Sequence, residues 1–409
     1  MNTRIQLGLK LAALLALSLT LCSQAFADRR TSLMGNMLLT DRDDSFIYPQ
    51  EMLKYNNSLS LDYGPSIDAG NALLIAGPNK SMAIGIALSR GDIMAPITMG
   101  GAAGSAVGEL LSLGSATSPS DALVNNVYRE PKTVADLMYA RKLGGGRLGL
   151  RVGITGALSA VDPDGDDGVS GQNQFGLRLS AGYTVSKLGN FVLDFVTETS
   201  ENLADNKATE RAKAMMVHAG ARLYPVRQKS FKIGVLADVS YMSGSDTQLS
   251  VDKDPANEFS ALGVMLGAGP VYTSDSKKLK VAFQAMLGYN STSRDPNNSD
   301  DVDPDTTSSV LFPGFNVSME YMLRDWLALR TGAISYYSFD STGNDAGDVG
   351  TTHGDSAAYA WNAGLGFIME NMRIDATFTN DFITSGPHFI SGVDRSAPMF
   401  YLLSATGKF

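Results

Sequence analysis

The chain is poor in the residues that most active-site chemistry and most small secreted folds depend on. Its 409 residues include one cysteine, Cys22, three histidines and two tryptophans. One cysteine cannot close a disulfide, so a small scaffold stapled by bridges is excluded, and the fold must come from backbone pairing and packing. His218, His353 and His388 are far apart and none stands in a metal-binding spacing; each reads as an ordinary polar residue, with the second and third in loops. Positive charge is in deficit too. Against 42 Asp+Glu there are 33 Lys+Arg, a balance that argues against nucleic acid as a partner. Beyond residue 27 no apolar run approaches the ~18 residues of a helical membrane span.

The one continuous apolar run is short and sits at the start. Arg4 and Lys10 give a positive lead, Leu11 to Leu21 an apolar centre, and Ala25-Phe26-Ala27 a small-x-small site. This is the pattern of an export signal over residues 1–27, with the mature chain beginning near Asp28. Cys22 lies inside it behind Leu21, where lipid attachment wants a small residue, so no lipid anchor is expected.

What the remainder has is alternation. From Phe231 to Tyr241, one face carries Phe231, Ile233, Val235, Ala237, Val239 and Tyr241. The other carries Lys232, Gly234, Asp238 and Ser240, with Leu236 out of character. Leu279 to Asn290 and Phe175 to Val185 repeat the pattern. A period of two means strands, not helices. Runs of this length exceed the ~5–6 residues of a soluble strand and suit a tilted membrane crossing of ~9–11. One face is apolar and the other glycine-rich and charged, as lipid outside and water inside require; a mean hydropathy near zero fits such hidden apolarity.

The connections alternate in length. Short turns are read at Pro78 to Lys80, Gly144 to Gly146, Ser186 to Gly189, Arg227 to Ser230, Asp275 to Lys278, Arg324-Asp325 and Glu370-Asn371. Long polar loops are read at Asp92 to Pro131, Val161 to Gln174, Leu203 to Arg211, Thr247 to Asn257, Arg294 to Thr307, Thr342 to Ala357 and Pro387 to Ala397. The expected fold is therefore all-β: an antiparallel transmembrane β-barrel of about sixteen strands, with fourteen as the alternative. The barrel should occupy 58–409, behind a periplasmic or plug-like segment at 28–57. An even strand count puts both termini on the short-turn, periplasmic side of an outer membrane.

Two resemblances add to this reading. Tyr401, Leu403, Ala405 and the final Phe409 share a face, and a terminal aromatic closing an alternating strand resembles the C-terminal signal of Gram-negative outer-membrane barrels, with Gly407 where that signal usually has an aromatic or apolar residue. That resemblance implies the barrel-assembly machinery as a partner. The stretch Asp41-Arg42-Asp43-Asp44-Ser45-Phe46-Ile47-Tyr48-Pro49-Gln50 resembles the N-terminal plug of the outer-membrane fatty-acid and hydrocarbon uptake channels (FadL-type). Those plugs often run from small and acidic residues through an aromatic to Asn-Pro-Ala; here only Pro49 is carried over. The resemblance implies a porin-like channel that admits small solutes, hydrophobic ones among them.

Several residues are candidates for that role. Arg147, Arg151, Arg178, Arg222, Arg330 and Arg373 should point inward with Asp194, Glu198, Asp238, Glu320 and Asp375. Opposed rows would set a transverse field across a wet pore. Pairing across strands would instead fill a narrow barrel. The insertion Asp92 to Pro131 is apolar for a loop, and Ile97, Met99, Leu110, Leu111 and Leu113 are candidates for a constriction or a capture site. Asp162, Asp164 and Asp166 resemble the opening of a calcium loop, but Asp167 stands where glycine is needed and Asn173 where the closing Glu belongs. Solvated acidic loops meeting lipopolysaccharide through divalent cations are the blander reading. No cofactor is expected, and no serine, histidine and acid carry a motif that marks an enzyme. The reading from another class is a structural or interaction barrel whose acidic loops bind lipopolysaccharide or a partner.

Overall fold

The computed structural model describes residues 29–63, 71–90, 133–161, 170–186, 188–204, 207–248, 255–295, 305–344, 352–379 and 402–409. The expected export signal at 1–27, with Cys22, lies outside them. So do the whole Asp92 to Pro131 insertion and His388.

Sixteen strands form the wall. They are β1 (Ser58–Tyr63), β2 (Asn71–Asn79), β3 (Met82–Arg90), β4 (Thr133–Leu143), β5 (Gly146–Val161), β6 (Ser170–Val185), β7 (Gly189–Ala204) and β8 (Lys207–Arg227). The second half comprises β9 (Phe231–Gln248), β10 (Pro255–Thr273), β11 (Leu279–Asp295), β12 (Asp305–Arg324), β13 (Leu327–Asn344), β14 (Thr352–Ile368), β15 (Met372–Thr379) and β16 (Leu402–Lys408). Each pairs with its neighbours in sequence, and β1 pairs antiparallel with β16, so the sheet closes and leaves no edge. Sixteen, not fourteen, is the strand number.

The alternation read from the sequence sorts the faces. Phe175, Leu193, Phe283, Tyr289 and Phe339 are exposed on the outside, while Arg178, Asp194 and Gln284 from the same strands are buried inside. A continuous belt of exposed large apolar side chains around a closed barrel is stable in lipid and not in water.

Several strands run beyond the segments that the apolar pattern marks. The described ends of the stretches 161–174, 203–211, 247–257 and 342–357, read as loops, are paired strand, in β6, β8, β10 and β14 on their far sides. Past the lipid, the outer face no longer needs apolar residues, so the period-two signal fades while the backbone ladder continues. Arg211 Nε reaches Glu201 Oε1 at 2.7 Å in such an extension of β7 and β8. His353 likewise belongs to β14, opposite Ser341, and not to a loop. Asn173 pairs with Leu158 and Glu201 inside β6, so it does not close a calcium-binding loop.

Breaks in the inward polar pattern cluster. Leu236, Val192, Val271, Met286, Leu311 and Ile334 point inward yet are buried against Leu33, Met34, Met37 and Leu38. Leu73, Ile75 and Met138 are buried against Phe46 and Met52. Residues ahead of β1 thus supply the apolar partners of these inner-wall positions.

The face assignment has an energetic consequence. Phe283→Arg puts a charge against lipid and should destabilise the barrel by ~2–4 kcal/mol. Lys280→Gln, facing inward, should stay within about 0.5 kcal/mol. Urea unfolding followed by heat-modifiable gel mobility reads both, and equal penalties would mean that the faces are reversed.

Candidate functional site: the filled barrel interior

Residues 29–57 lie against the inner wall as two short α-helices and a 3-10 helix: α1 (Arg29–Ser32), α2 (Asp44–Ile47) and Pro49–Lys54. Pro49 opens the last of these, where a missing N–H goes unneeded and a fixed φ is an advantage. A segment this short and polar has little intrinsic helicity. Its shape is imposed by the wall.

Glycines make room for it. A side chain at Gly149 would collide with the backbone of Pro49 and Gln50, and one at Gly332 with the backbone of Leu33. Gly85, Gly182, Gly234 and Gly364 face side-chain atoms of Met52, Gln50, Leu38 and Ser32 at similarly close range. The segment's own carbonyls are met by side chains of the wall. Asn316 Nδ2 donates to Met34 O at 2.7 Å, Ser318 Oγ to Leu33 O at 2.7 Å and Tyr224 OH to Leu38 O at 2.9 Å.

Charge completes the fit. Arg222 grips Asp44 with two nitrogens, at 2.7 and 3.0 Å, and its Cζ lies 4.8 Å from the centre of the Tyr48 ring. Arg30 also bonds Asp44, and reaches Asp41 at 2.9 Å. Arg147 reaches Glu51 at 2.6 Å, and Arg151 donates to Phe46 O at 2.7 Å while holding Asp136 at 2.8 Å. The segment reciprocates, since Arg29 bonds Glu320 at 2.6 Å and Arg42 bonds Asp62 at 3.2 Å. Glu320 also receives Arg330 at 2.8 Å, and Arg330 and Arg373 share Asp375 at 2.7 and 2.8 Å. Burial works to lift the Asp44 carboxyl, but Arg222 and Arg30 outweigh it and hold it below the ordinary carboxylate range. A carboxyl depressed in this way stabilises the docked state above its free pKa and loses that contribution only as the pH falls through the docked value.

The candidates Arg147, Arg151, Arg178, Arg222, Asp238, Glu320, Arg330, Arg373 and Asp375 are all placed on the inner face, as are Asp194 and Glu198. They do not form opposed rows. Acids and arginines are interleaved and in contact, with one another or with the N-terminal segment, so the interior is a filled network and not a field across open water. Sequence reading placed Arg42 and Asp44 in a plug-like stretch without naming their partners, and missed Arg29, Arg30 and Glu51. The available signal was a charged stretch ahead of a barrel whose inner face breaks its polar pattern. Ile97, Met99, Leu110, Leu111 and Leu113, and the acids Asp162, Asp164 and Asp166, lie outside the described residues. Among the described residues no group of acids, histidines or cysteines is arranged to hold a metal.

His218 is the least expected member. It is buried on β8, with Nδ1 at 2.8 Å from Asp194 and Nε2 at 2.7 Å from Asp238. Asp194 also takes Arg178 at 3.1 Å and the Ser180 hydroxyl. Serine, histidine and acid therefore meet, but not as a catalytic triad. Ser180 bonds the carboxylate, and both ring nitrogens are occupied by acids, which leaves neither to take a proton from a serine. The arrangement ties β6, β7, β8 and β9 together.

A closed sixteen-strand barrel with an apolar outside and a charged, filled inside defines a transmembrane β-barrel of the outer-membrane type. No protein-family model matches the sequence, and no curated protein matches it. Among solved structures the chain is similar to the toluene transporter TodX of P. putida, at 10% identity and a TM-score of 0.32 over 91% of this chain and 93% of that one. It is also similar to the siderophore receptor PiuA of Acinetobacter baumannii, at 10% identity and a TM-score of 0.38 over 61% of this chain and 47% of that one. A third is the copper transporter OprC, at 11% identity, a TM-score of 0.32 and coverage of 79% and 60%. At these scores the likeness is one of barrel shape alone.

Asp44 joins the segment's own Arg30 to Arg222 of the wall. Asp44→Ala leaves the buried Arg222 without a carboxylate, while Arg30 keeps Asp41, a loss of about 3–5 kcal/mol in docking. Trypsin should then cut at Arg30 and Arg42 in the folded barrel, while the unaltered protein resists. Resistance in both would mean that the ion pairs do not hold the segment in place.

Proposed function

We propose that the protein is an outer-membrane channel for passive movement of small solutes, apolar ones among them, closed at rest by its N-terminal segment. The observation that carries this reading is the way the interior is filled. A sixteen-strand barrel is wide enough for an aqueous channel when empty. Here the filling is the segment that leads into β1, held against the rest of the wall by ion pairs, hydrogen bonds and apolar contacts, with no cross-link among the described residues. Ion pairs add little net stability over apolar packing of the same volume, but they can be exchanged for water or a polar solute.

The apolar part of the proposal rests on a second inner-wall cluster. Val196, Met216, Met242 and Phe259 pack together with Ala212, Ala214 and Ala261, towards the long connections, and no residue of the N-terminal segment belongs to that cluster. It makes an apolar stretch of the inner wall on the approach to the plug, buried by its own packing. The insertion Asp92 to Pro131, with Ile97, Met99, Leu110, Leu111 and Leu113, is proposed as the capture or constriction element on the same side. On this reading the chain ends are periplasmic, Phe409 engages the barrel-assembly machinery, the acidic loops meet lipopolysaccharide, and the barrel transports rather than catalyses.

A reversible lock tests it. Leu38 lies against the position a side chain at Gly234 would occupy, so Leu38→Cys with Gly234→Cys should bridge the segment to β9. The oxidised variant in liposomes should pass no solute, and a reductant should restore the swelling rate of the unaltered protein. Equal flux before and after reduction would place the route elsewhere and remove the plug from the mechanism.

A further inference from the structure

Where the short turns close the barrel, a cavity of about 480 Å3 lies between the rim and the N-terminal segment. Its size is that of a small-molecule site. Its charge is unusual for this chain. The whole protein carries a formal charge of −9, yet seven of the cavity's lining residues are Lys or Arg and one, Glu51, is acidic.

The cations divide into two sets. Arg29, Lys54 and Arg147 are paired with Glu320 or Glu51. Lys142, Arg227, Lys232 and Lys280 form no salt bridge among the described residues, although Lys280 stands opposite Glu320 of β12, whose carboxylate is taken by Arg29 and Arg330. Arg227 places its donors on backbone carbonyls instead, at Tyr224 O and Leu188 O.

The strand register also brings like charges together. Lys232 of β9 stands directly opposite Arg227 of β8, a destabilising juxtaposition unless an anion relieves it. Both cations lie over the Tyr224 ring, with Arg227 Cζ at 5.0 Å and Lys232 Nζ at 5.9 Å from its centre. That ring is held in place by the Tyr224 hydroxyl, which donates to Leu38 O. An aromatic face stabilises cations without neutralising them, and so leaves their charge available. Lysine ammoniums on flexible stems suit the point charges of phosphate and carboxylate oxygens.

We propose that this cavity is a binding site for a small polyanion, a soluble solute bearing phosphate or carboxylate groups, on the short-turn side of the plug. The site stands independently of the transport reading, because binding is measured without flux.

Calorimetric titration of the refolded protein in zwitterionic detergent, with inorganic pyrophosphate and then citrate, tests it. The expected result is saturable one-to-one binding of at least one of the two anions. Lys232→Gln with Lys280→Gln should weaken it by about tenfold or more, the loss of two charge-assisted contacts. Lys229→Gln with Lys277→Gln, on turns outside the cavity, should leave it unchanged. Heat-modifiable mobility confirms that both double variants are folded. Three results would overturn the proposal. One is no binding of either anion. Another is an equal loss in both double variants, which would be a general charge effect. The third is binding only when phosphatidylglycerol is added to the micelles, which would make the occupant a lipid headgroup and not a free solute.

Discussion

Burying a guanidinium inside a barrel costs several kcal/mol unless a carboxylate meets it there, and burying a carboxylate alone costs as much. The interior of this barrel is organised around that constraint. Arg222 of the wall and Asp44 of the N-terminal segment are both fully buried, and either one alone would be untenable. Arg147 with Glu51 and, with the signs exchanged, Glu320 with Arg29 add pairs of the same kind at less completely buried positions. Wall and segment are therefore complementary in sign as well as in shape.

Much else about the wall follows from accommodating that segment. Glycine is needed at Gly149 and Gly332 because the segment's backbone lies where a side chain would be. Apolar residues are needed at Leu236, Ile334 and Met138, on a face that otherwise carries polar groups, because leucines and methionines of the segment end there. The carbonyls of a segment with little regular structure need donors, and Asn316, Ser318 and Tyr224 supply them. Sequence, local shape and packing thus converge on one arrangement, in which the segment is held inside the barrel by ion pairs and hydrogen bonds as well as by apolar packing.

The barrel was legible in the sequence because lipid imposes a face-by-face rule on every crossing. Phe175, Leu279 and Phe231 each begin a run in which that rule is visible, and strand number and faces follow from it. Strand ends were not legible, since Arg211, which reads as loop, pairs as strand with Glu201. The inward arginines were recognisable one by one. Their partners were not, because closure of a barrel brings together residues far apart in sequence, such as Arg222 and Asp44. His218 shows the same limit. Nothing in its neighbours in sequence indicates that Asp194 and Asp238 hold its two nitrogens on adjacent strands. Leu236 was the best clue to the segment, and it first reads as an exception to the alternation.

Hydrogen–deuterium exchange on the refolded protein in detergent tests the account most directly. If the segment and the wall are one charge-matched unit, the amides of the peptide covering residues 30–55 should exchange as slowly as those of β7 and β8. Arg222→Ala should speed that peptide selectively and leave the strands protected. Exchange of the segment at the rate of a free chain in the unaltered protein would contradict the account, because the ion pairs would then not be holding anything in the barrel.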